Sequence, residues 1–212
     1  MNVAFLIPPA LQGQKPAERT AGCTSVVYPM PNIYELTVAA LLEQEGHRVD
    51  YFMADISPLS FEQFVGECAA QCFLFWSVNL SLDADLAALS VIRKLKGDVP
   101  VVFMGPGPTY FTEKMLPDDH CYVVRGEPDL TVAELVKMLE SGSDLSAVAG
   151  LTYRVAGEIR KNPSRPLIKD LDILPFPARH LIENVAFSNP KLKTRPYTSM
   201  VTSRNCPYQC IY

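Results

Sequence analysis

Two cysteines, Cys206 and Cys210, lie near the end of the chain in the run TSRNCPYQCIY, with C-x3-C spacing. Thiolates are soft ligands that bind iron strongly, and close spacing in one loop lets several sulfurs face one cluster. A third Cys directly after Tyr212 would complete C-x3-C-x2-C, the spacing that holds a 4Fe-4S cluster and leaves one iron open. The chain stops two residues after Cys210, so the expectation is a piece cut from a longer protein at its reactive centre. Taken alone, C-x3-C also suits two inert thiols or part of a zinc site. Its surroundings favour iron: Tyr197 to Thr202 reads as a strand leading into the pair, and aromatic Tyr212 precedes the missing position.

The elements that must position these residues alternate between short apolar runs and helical stripes. Strands are expected at Val3–Ile7, Arg48–Phe52, Cys72–Trp76, Val101–Met104 and Tyr122–Val124. Helices are expected at Ile33–Gln44, Phe61–Ala69, Leu82–Leu95 and Leu130–Leu139, with a short one across Thr112–Leu116. Apolar strands separated by helices indicate an α/β fold with a parallel sheet covered on both faces. Ligands of such sheets bind beyond the strand C-termini. That rule points to the loops after strands one, three, four and five. The first, Pro8 to Asn32, holds five Pro and two Gly, and a loop of that length needs a reason such as lining a ligand site. Covering a sheet edge or simple mobility would serve as well. After Gly142, Leu151–Val155 and Glu158–Lys161 flank Ala156-Gly157 as a small hairpin, and a Pro- and Asp-rich connector follows.

With 212 residues, 48% hydrophobic and 20% charged, the chain suits a folded protein rather than a disordered one. A net charge of -4 and the lack of a Lys/Arg block argue against nucleic-acid binding, since the basic stretch Lys191 to Arg195 is short. No run of 18 apolar residues marks a membrane span, and MNVAFLIPP reads as a first strand rather than a leader. Cys68, Cys72 and Cys121 read as buried free thiols, and the expected compartment is the cytoplasm. Trp76 reads as core, and Asp83 and Asp85 as acidic residues opening a helix. Asp129 reads as a cap of the last helix, and His47 as a solvent-facing residue at the far end of the sheet. No set of carboxylates, Ser/His or Cys/His forms a catalytic arrangement.

TSRNCPYQCIY resembles the opening of a radical S-adenosylmethionine (SAM) domain, with Asn205 where close relatives often have Gly. VVFMGPGPT, YVVRGEPD, the hairpin GLTYRVAGEIRKNP and the connector RPLIKDLDILPFPAR resemble the cobalamin-binding-domain subgroup of those enzymes, including the anaerobic magnesium-protoporphyrin monomethyl ester cyclase group. The resemblance implies a flavodoxin-like domain with a five-stranded parallel sheet over 1–142, a hairpin and connector over 143–196, and the start of a radical SAM barrel over 197–212. It also implies that Cys206 and Cys210 are cluster ligands. The open iron would bind SAM, and one electron from a donor such as flavodoxin or ferredoxin would cleave SAM to a 5'-deoxyadenosyl radical.

The resemblance further implies a corrinoid clamped across the strand C-termini, its nucleotide tail in a cleft beside the sheet. Contacts would come from Pro8 and Pro9 after strand one and from Ser77, Val78 and Asn79 after strand three. Gly105, Pro106 and Gly107 after strand four, and Gly126 and Glu127 after strand five, would complete the site. Glycines permit close backbone approach, although they equally suit tight turns. Many such domains carry D-x-H-x-x-G after strand one, whose His coordinates cobalt. The first loop here contains no His. Asp118 and His120 have the D-x-H spacing, but Val123 replaces the Gly, and His47 and His180 lie elsewhere. Cobalamin is therefore expected to bind without a lower His ligand. The implied activity of the full protein is methyl transfer or radical ring or skeletal chemistry on a small molecule. Two alternatives stay open. One is a methylthiotransferase, in which Cys23, Cys68, Cys72 or Cys121 would help hold a second cluster; the other is a scaffold domain that has lost cobalamin.

Overall fold

The computed structural model describes residues 1–15, 17, 19, 30–182, 187, 193–194 and 197–205. Five parallel strands form the centre: β1 (Asn2–Ile7), β2 (Arg48–Met53), β3 (Cys72–Trp76), β4 (Val101–Met104) and β5 (Cys121–Val124). Their spatial order is β2-β1-β3-β4-β5, the flavodoxin-like arrangement expected. The hairpin β6 (Leu151–Val155) and β7 (Glu158–Lys161) was expected as a separate unit. Instead β6 pairs antiparallel with β5, and the sheet has seven strands. Arg125 holds this junction, donating from Nε to Thr152 Oγ1 at 2.8 Å.

Alternation along each strand divides the core in two. Val3, Phe5, Leu74 and Val102 face one side, with buried residues of α1 (Ile33–Gln44) and α5 (Asp129–Ser141). Ala4, Leu6, Phe73, Phe75 and Phe103 face the other, with α2 (Phe61–Glu67) and α3 (Leu82–Lys96). Side chains on successive strand residues point to opposite faces, so a continuous apolar run is what a doubly covered strand requires. Asn32 starts α1 by accepting the N–H groups of Tyr34 and Glu35 at 3.1 and 3.4 Å. Ser60 and Gln63 form a reciprocal cap on α2.

Three segments differ from the sequence reading. Gly105 to Thr109 was expected as loop, yet Pro106–Tyr110 forms α4, and Thr112–Leu116 contains only a short 3-10 turn at Glu113–Met115. Pro106 at the first helical position has no N–H to leave unpaired, so Pro starts this turn instead of stopping one. Residues 197–202 form no strand among the described residues. The connector holds them through Arg179, which donates to Thr198 Oγ1 at 3.1 Å and to the Ser199 carbonyl at 2.9 Å.

Candidate functional site

The loops at the C-terminal ends of β3, β4 and β5 enclose a cleft of about 310 Å³. Trp76, Gly105, Pro106, Gly126 and Glu127 line it, together with Tyr34 from α1, Leu167 from the connector, and Arg204 and Asn205. The loops are stitched to one another. Gly107 N–H donates to the Ser77 carbonyl at 3.1 Å. Thr109 Oγ1 donates to the Gly105 carbonyl at 2.9 Å and accepts from Gly126 N–H at 3.4 Å.

Gly105 and Gly107 are required by this stitching. Gly105 has φ +102°, and a Cβ there would lie 2.8 Å from the Ser77 carbonyl oxygen. A Cβ on Gly107 would meet a Leu82 methyl and the Val78 carbonyl carbon, each at 2.8 Å. Their close approach is thus to the chain itself, whereas Gly126 faces open space, with nothing within 4 Å of a Cβ built on it.

Trp76 forms part of the cleft wall. Its ring stacks on Tyr34 with centroids 4.9 Å apart and planes 12° from parallel. Its backbone is held by an unusual substitute for sheet pairing. The β1–β3 ladder ends at Leu74 although β1 runs on to Ile7, and Pro8 has no N–H to offer the Trp76 carbonyl. Glu35 and Arg19 fill the gap: Trp76 N–H donates to Glu35 Oε1 at 3.1 Å, and Arg19 Nη1 donates to the Trp76 carbonyl at 2.8 Å. Arg19 also grips Asp85 with two nitrogens, at 2.7 and 3.2 Å, and Ser81 Oγ donates to Asp85 Oδ2 at 2.8 Å. Tyr51 donates its hydroxyl to Glu35 Oε2 at 2.6 Å. One guanidinium therefore faces two buried carboxyls and gives Asp85 both prongs. Burial raises Glu35 from its ordinary 4.5 to about 7, against the opposing pull of Tyr51, Arg19 and the Trp76 N–H. This network occupies the crevice between β1 and β3, where the strand order reverses, so the open cleft lies beside it over β3 to β5.

The expected contact residues are distributed unevenly. Gly105, Pro106, Gly126 and Glu127 line the cleft, with Gly107 just beneath. Ser77 and Val78 are fully buried behind Gly105 and Gly107, and Asn79 is exposed in a 3-10 turn. Pro8 borders a separate water-sized pocket with Arg19 and Asp55, and exposed Pro9 lines neither space. Glu127 uses both carboxylate oxygens on the chain, accepting Ile168 N–H at 2.7 Å and Asn205 Nδ2 at 3.2 Å. Cys206 and Cys210 lie outside the described residues.

Asp129 is corrected from a cap to the first residue of α5; it is 1% exposed and paired to Arg204 at 2.5 and 3.1 Å. Asp85 lies in the first turn of α3, as expected, and is in addition a fully buried ion-pair partner of Arg19. His47 does not face solvent: it is buried and pairs with the N-terminal amine at 2.9 Å. Cys72 sits where β3 begins, at the sheet edge opposite the cleft, and burial pushes its thiol up to about 12. Burial, then Asp118, pushes Cys121 equally far. Among the described residues no group of three or more His, Cys, Asp and Glu is placed to hold a metal. None of their helices is long and apolar enough to cross a membrane.

Sequence reasoning missed Tyr34, Glu35, Tyr51, Arg19 and Arg204. The sole available signal was polarity out of place at Glu35, which interrupts the buried stretch Ile33 to Ala40.

Comparison with known proteins points the same way as the cleft. A model of the B12 binding domain matches residues 19–136. The uncharacterized methyltransferase PH0819 of Pyrococcus horikoshii is 35% identical over 124 residues, which are 58% of this chain and 26% of that protein. The anaerobic magnesium-protoporphyrin IX monomethyl ester cyclase of Synechocystis sp. is 26% identical across 100% of this chain and 42% of its own length. The chain thus spans less than half the length of either relative. Among solved structures, the radical SAM methyltransferase TsrM from Kitasatospora setae, with cobalamin and a 4Fe-4S cluster bound, aligns at TM-score 0.59. That match has 16% identity and covers 90% of this chain and 35% of TsrM. The cobalamin-dependent radical enzyme OxsB, with aqua-cobalamin and SAM bound, aligns at 0.58 and 15% identity over 78% of this chain and 22% of OxsB. These two likenesses are of fold. With more than half of its residues matched by the family model, and with its open cleft at the C-terminal ends of a flavodoxin-like sheet, this chain belongs to the B12-binding domain family.

Proposed function

We propose that the cleft receives the nucleotide tail of a corrinoid, whose ring lies over the C-terminal ends of β3 to β5. The observation that carries this reading is polar capacity left unused beside an open, aromatic-walled cleft. Trp76 Nε1, on a ring that lines the cleft, is buried without a hydrogen-bond partner. Buried polar atoms normally have partners, so orphans at a cleft suit a ligand or ordered water. About 310 Å³ suits a nucleotide-sized tail and leaves the larger ring outside. A bound corrinoid would supply a cobalt centre able to carry a methyl group.

This chain's residues would hold and orient the tail. Trp76 and Tyr34 offer apolar ring surface, and Gly126 leaves room for close approach. Pro106 and Glu127 line the entrance, with Ser77, Val78 and Gly107 fixing the loop geometry below. Pro8, Pro9 and Asn79 would meet only parts of the ligand outside the cleft. Residues 8–32, after β1, contain no His, so a protein imidazole ligand to the cobalt is not expected. In the complete protein Cys206 and Cys210 would hold two irons of a 4Fe-4S cluster that binds SAM, with a downstream barrel, an electron donor and a small-molecule substrate. The reaction class would be methyl transfer or radical ring or skeletal chemistry, carried out in the cytoplasm.

The test is anaerobic titration with hydroxocobalamin and methylcobalamin, followed by gel filtration and absorption spectroscopy. Trp76 is the chain's one Trp, so its fluorescence reports directly on the cleft. Stoichiometric retention, quenching and a spectrum without imidazole ligation are expected. Failure to retain either form would refute the reading for this chain and favour a scaffold role.

A further inference from the structure

The residues just ahead of Cys206 are fastened to the cleft itself. Arg204 places Nη1 2.5 Å from Asp129 Oδ2 and Nη2 3.1 Å from Oδ1. Two parallel, charge-assisted hydrogen bonds fix the guanidinium in orientation as well as position. Asp129 is suited to hold it: the carboxylate is 1% exposed and opens the thirteen-residue helix α5, where negative charge is favoured. The guanidinium carbon also lies 5.6 Å from the centre of the Tyr34 ring, which itself stacks on Trp76. Asn205 adds a third tie through Glu127 Oε1 at 3.2 Å, and it adopts the left-handed region with φ 66°. Arg204 and Asn205 are thus both lining residues of the cleft and the last described residues before Cys206.

We propose that Arg204 is a positioning residue that latches residues 204–205, just ahead of Cys206, to the cleft through Asp129 and Tyr34, so that filling the cleft and fixing the approach to Cys206 reinforce each other. Any ligand that packs on Trp76 and Tyr34 tightens the surface on which Arg204 rests. By linkage, whatever fixes residues 204–205 must then raise affinity in the cleft by the same factor. Lys at 204 would keep the charge but not the two-pronged geometry. The corrinoid arm of the test rests on the function proposed above; the latch itself does not.

The experiment is hydrogen exchange followed by mass spectrometry on peptides covering 197–205, with hydroxocobalamin affinity read from Trp76 quenching. The proteins are the unaltered chain, Arg204→Ala, Arg204→Lys and Asp129→Asn. Without ligand, Arg204→Ala and Asp129→Asn should speed exchange at 203–205 by about tenfold, with Arg204→Lys between, while β3 and β4 stay protected as the check on folding. Hydroxocobalamin should slow exchange at 197–205 in the unaltered chain and leave it unchanged in Arg204→Ala, whose affinity should fall about tenfold. Equal exchange at 203–205 in all four ligand-free proteins would overturn the latch. Equal slowing by hydroxocobalamin in the unaltered chain and in Arg204→Ala would overturn the coupling. Should the unaltered chain bind no corrinoid, that reading falls alone, and the ligand-free comparison still decides the latch.

Discussion

Replacing Glu35 with Gln should remove a pH dependence of folding that the wild-type chain carries. Glu35 is fully buried, and the Arg19 guanidinium beside it is committed to Asp85 through both prongs. Burial therefore outweighs the favourable contacts and raises the carboxyl from 4.5 to about 7. The folded state then holds this proton more tightly than the unfolded chain does. Stability from Glu35 is fully present below its unfolded value and is lost as pH rises through the folded one. At about 1.4 kcal/mol per pH unit, a rise from 4.5 to about 7 amounts to about 3 kcal/mol. Gln retains both contacts, its carbonyl accepting the Trp76 N–H and its amide donating to the Tyr51 oxygen, and it does not titrate. Urea unfolding followed by far-UV circular dichroism, from about pH 5 to about pH 8, should show wild-type stability falling relative to Glu35→Gln by up to about 3 kcal/mol. Parallel curves for the two proteins would refute the reasoning and mean that Glu35 is ionised throughout. Glu35→Ala should be worse at every pH, since it strands the Trp76 N–H and the Tyr51 hydroxyl at about 1–3 kcal/mol each.

Other outcomes follow from the same contacts. Asp85→Ala leaves Arg19 buried without its carboxylate, so denaturant unfolding should show a loss of about 3–5 kcal/mol, and Asp85→Asn should lose less. Gly107→Ala drives a methyl against the Leu82 side chain and the Val78 backbone, so thermal unfolding should register about 1–3 kcal/mol of destabilisation; an unchanged Tm would mean that α4 is free to shift. Iodoacetamide at mildly alkaline pH should label Cys68 well before Cys72, whose thiol burial holds near 12; labelling of Cys72 at the rate of Cys68 would show that β3 opens locally.

Much of the scaffold was legible because its signals are local. Apolar runs such as Cys72–Trp76 and Val101–Met104, broken by Gly and Pro, can satisfy both faces of a covered sheet and little else. Ala156-Gly157 between two short runs marked the hairpin; both residues turn with positive φ, 50° and 81°. Where β6 would pair was not legible, because a hairpin's outer edge carries no address. Pro106-Gly107-Pro108 was read as a break, since the helix there depends on Gly107 fitting against the loop after β3. Gly105, Pro106, Gly126 and Glu127 were reached from the rule about strand ends, the close approach that glycine permits, and the family resemblance.

By itself the sequence determined the alternation of strands and helices, the strand ends that bear the cleft, and the spacing of Cys206 and Cys210. The tertiary structure decided which polar residues meet. Trp76 and Glu35 are 41 positions apart, Arg19 and Asp85 66, and Arg204 and Asp129 75. Each is ordinary in its local setting. Hydrophobic periodicity is written over a few residues, whereas a buried charge declares its partner only once the sheet order has brought distant loops to the same edge.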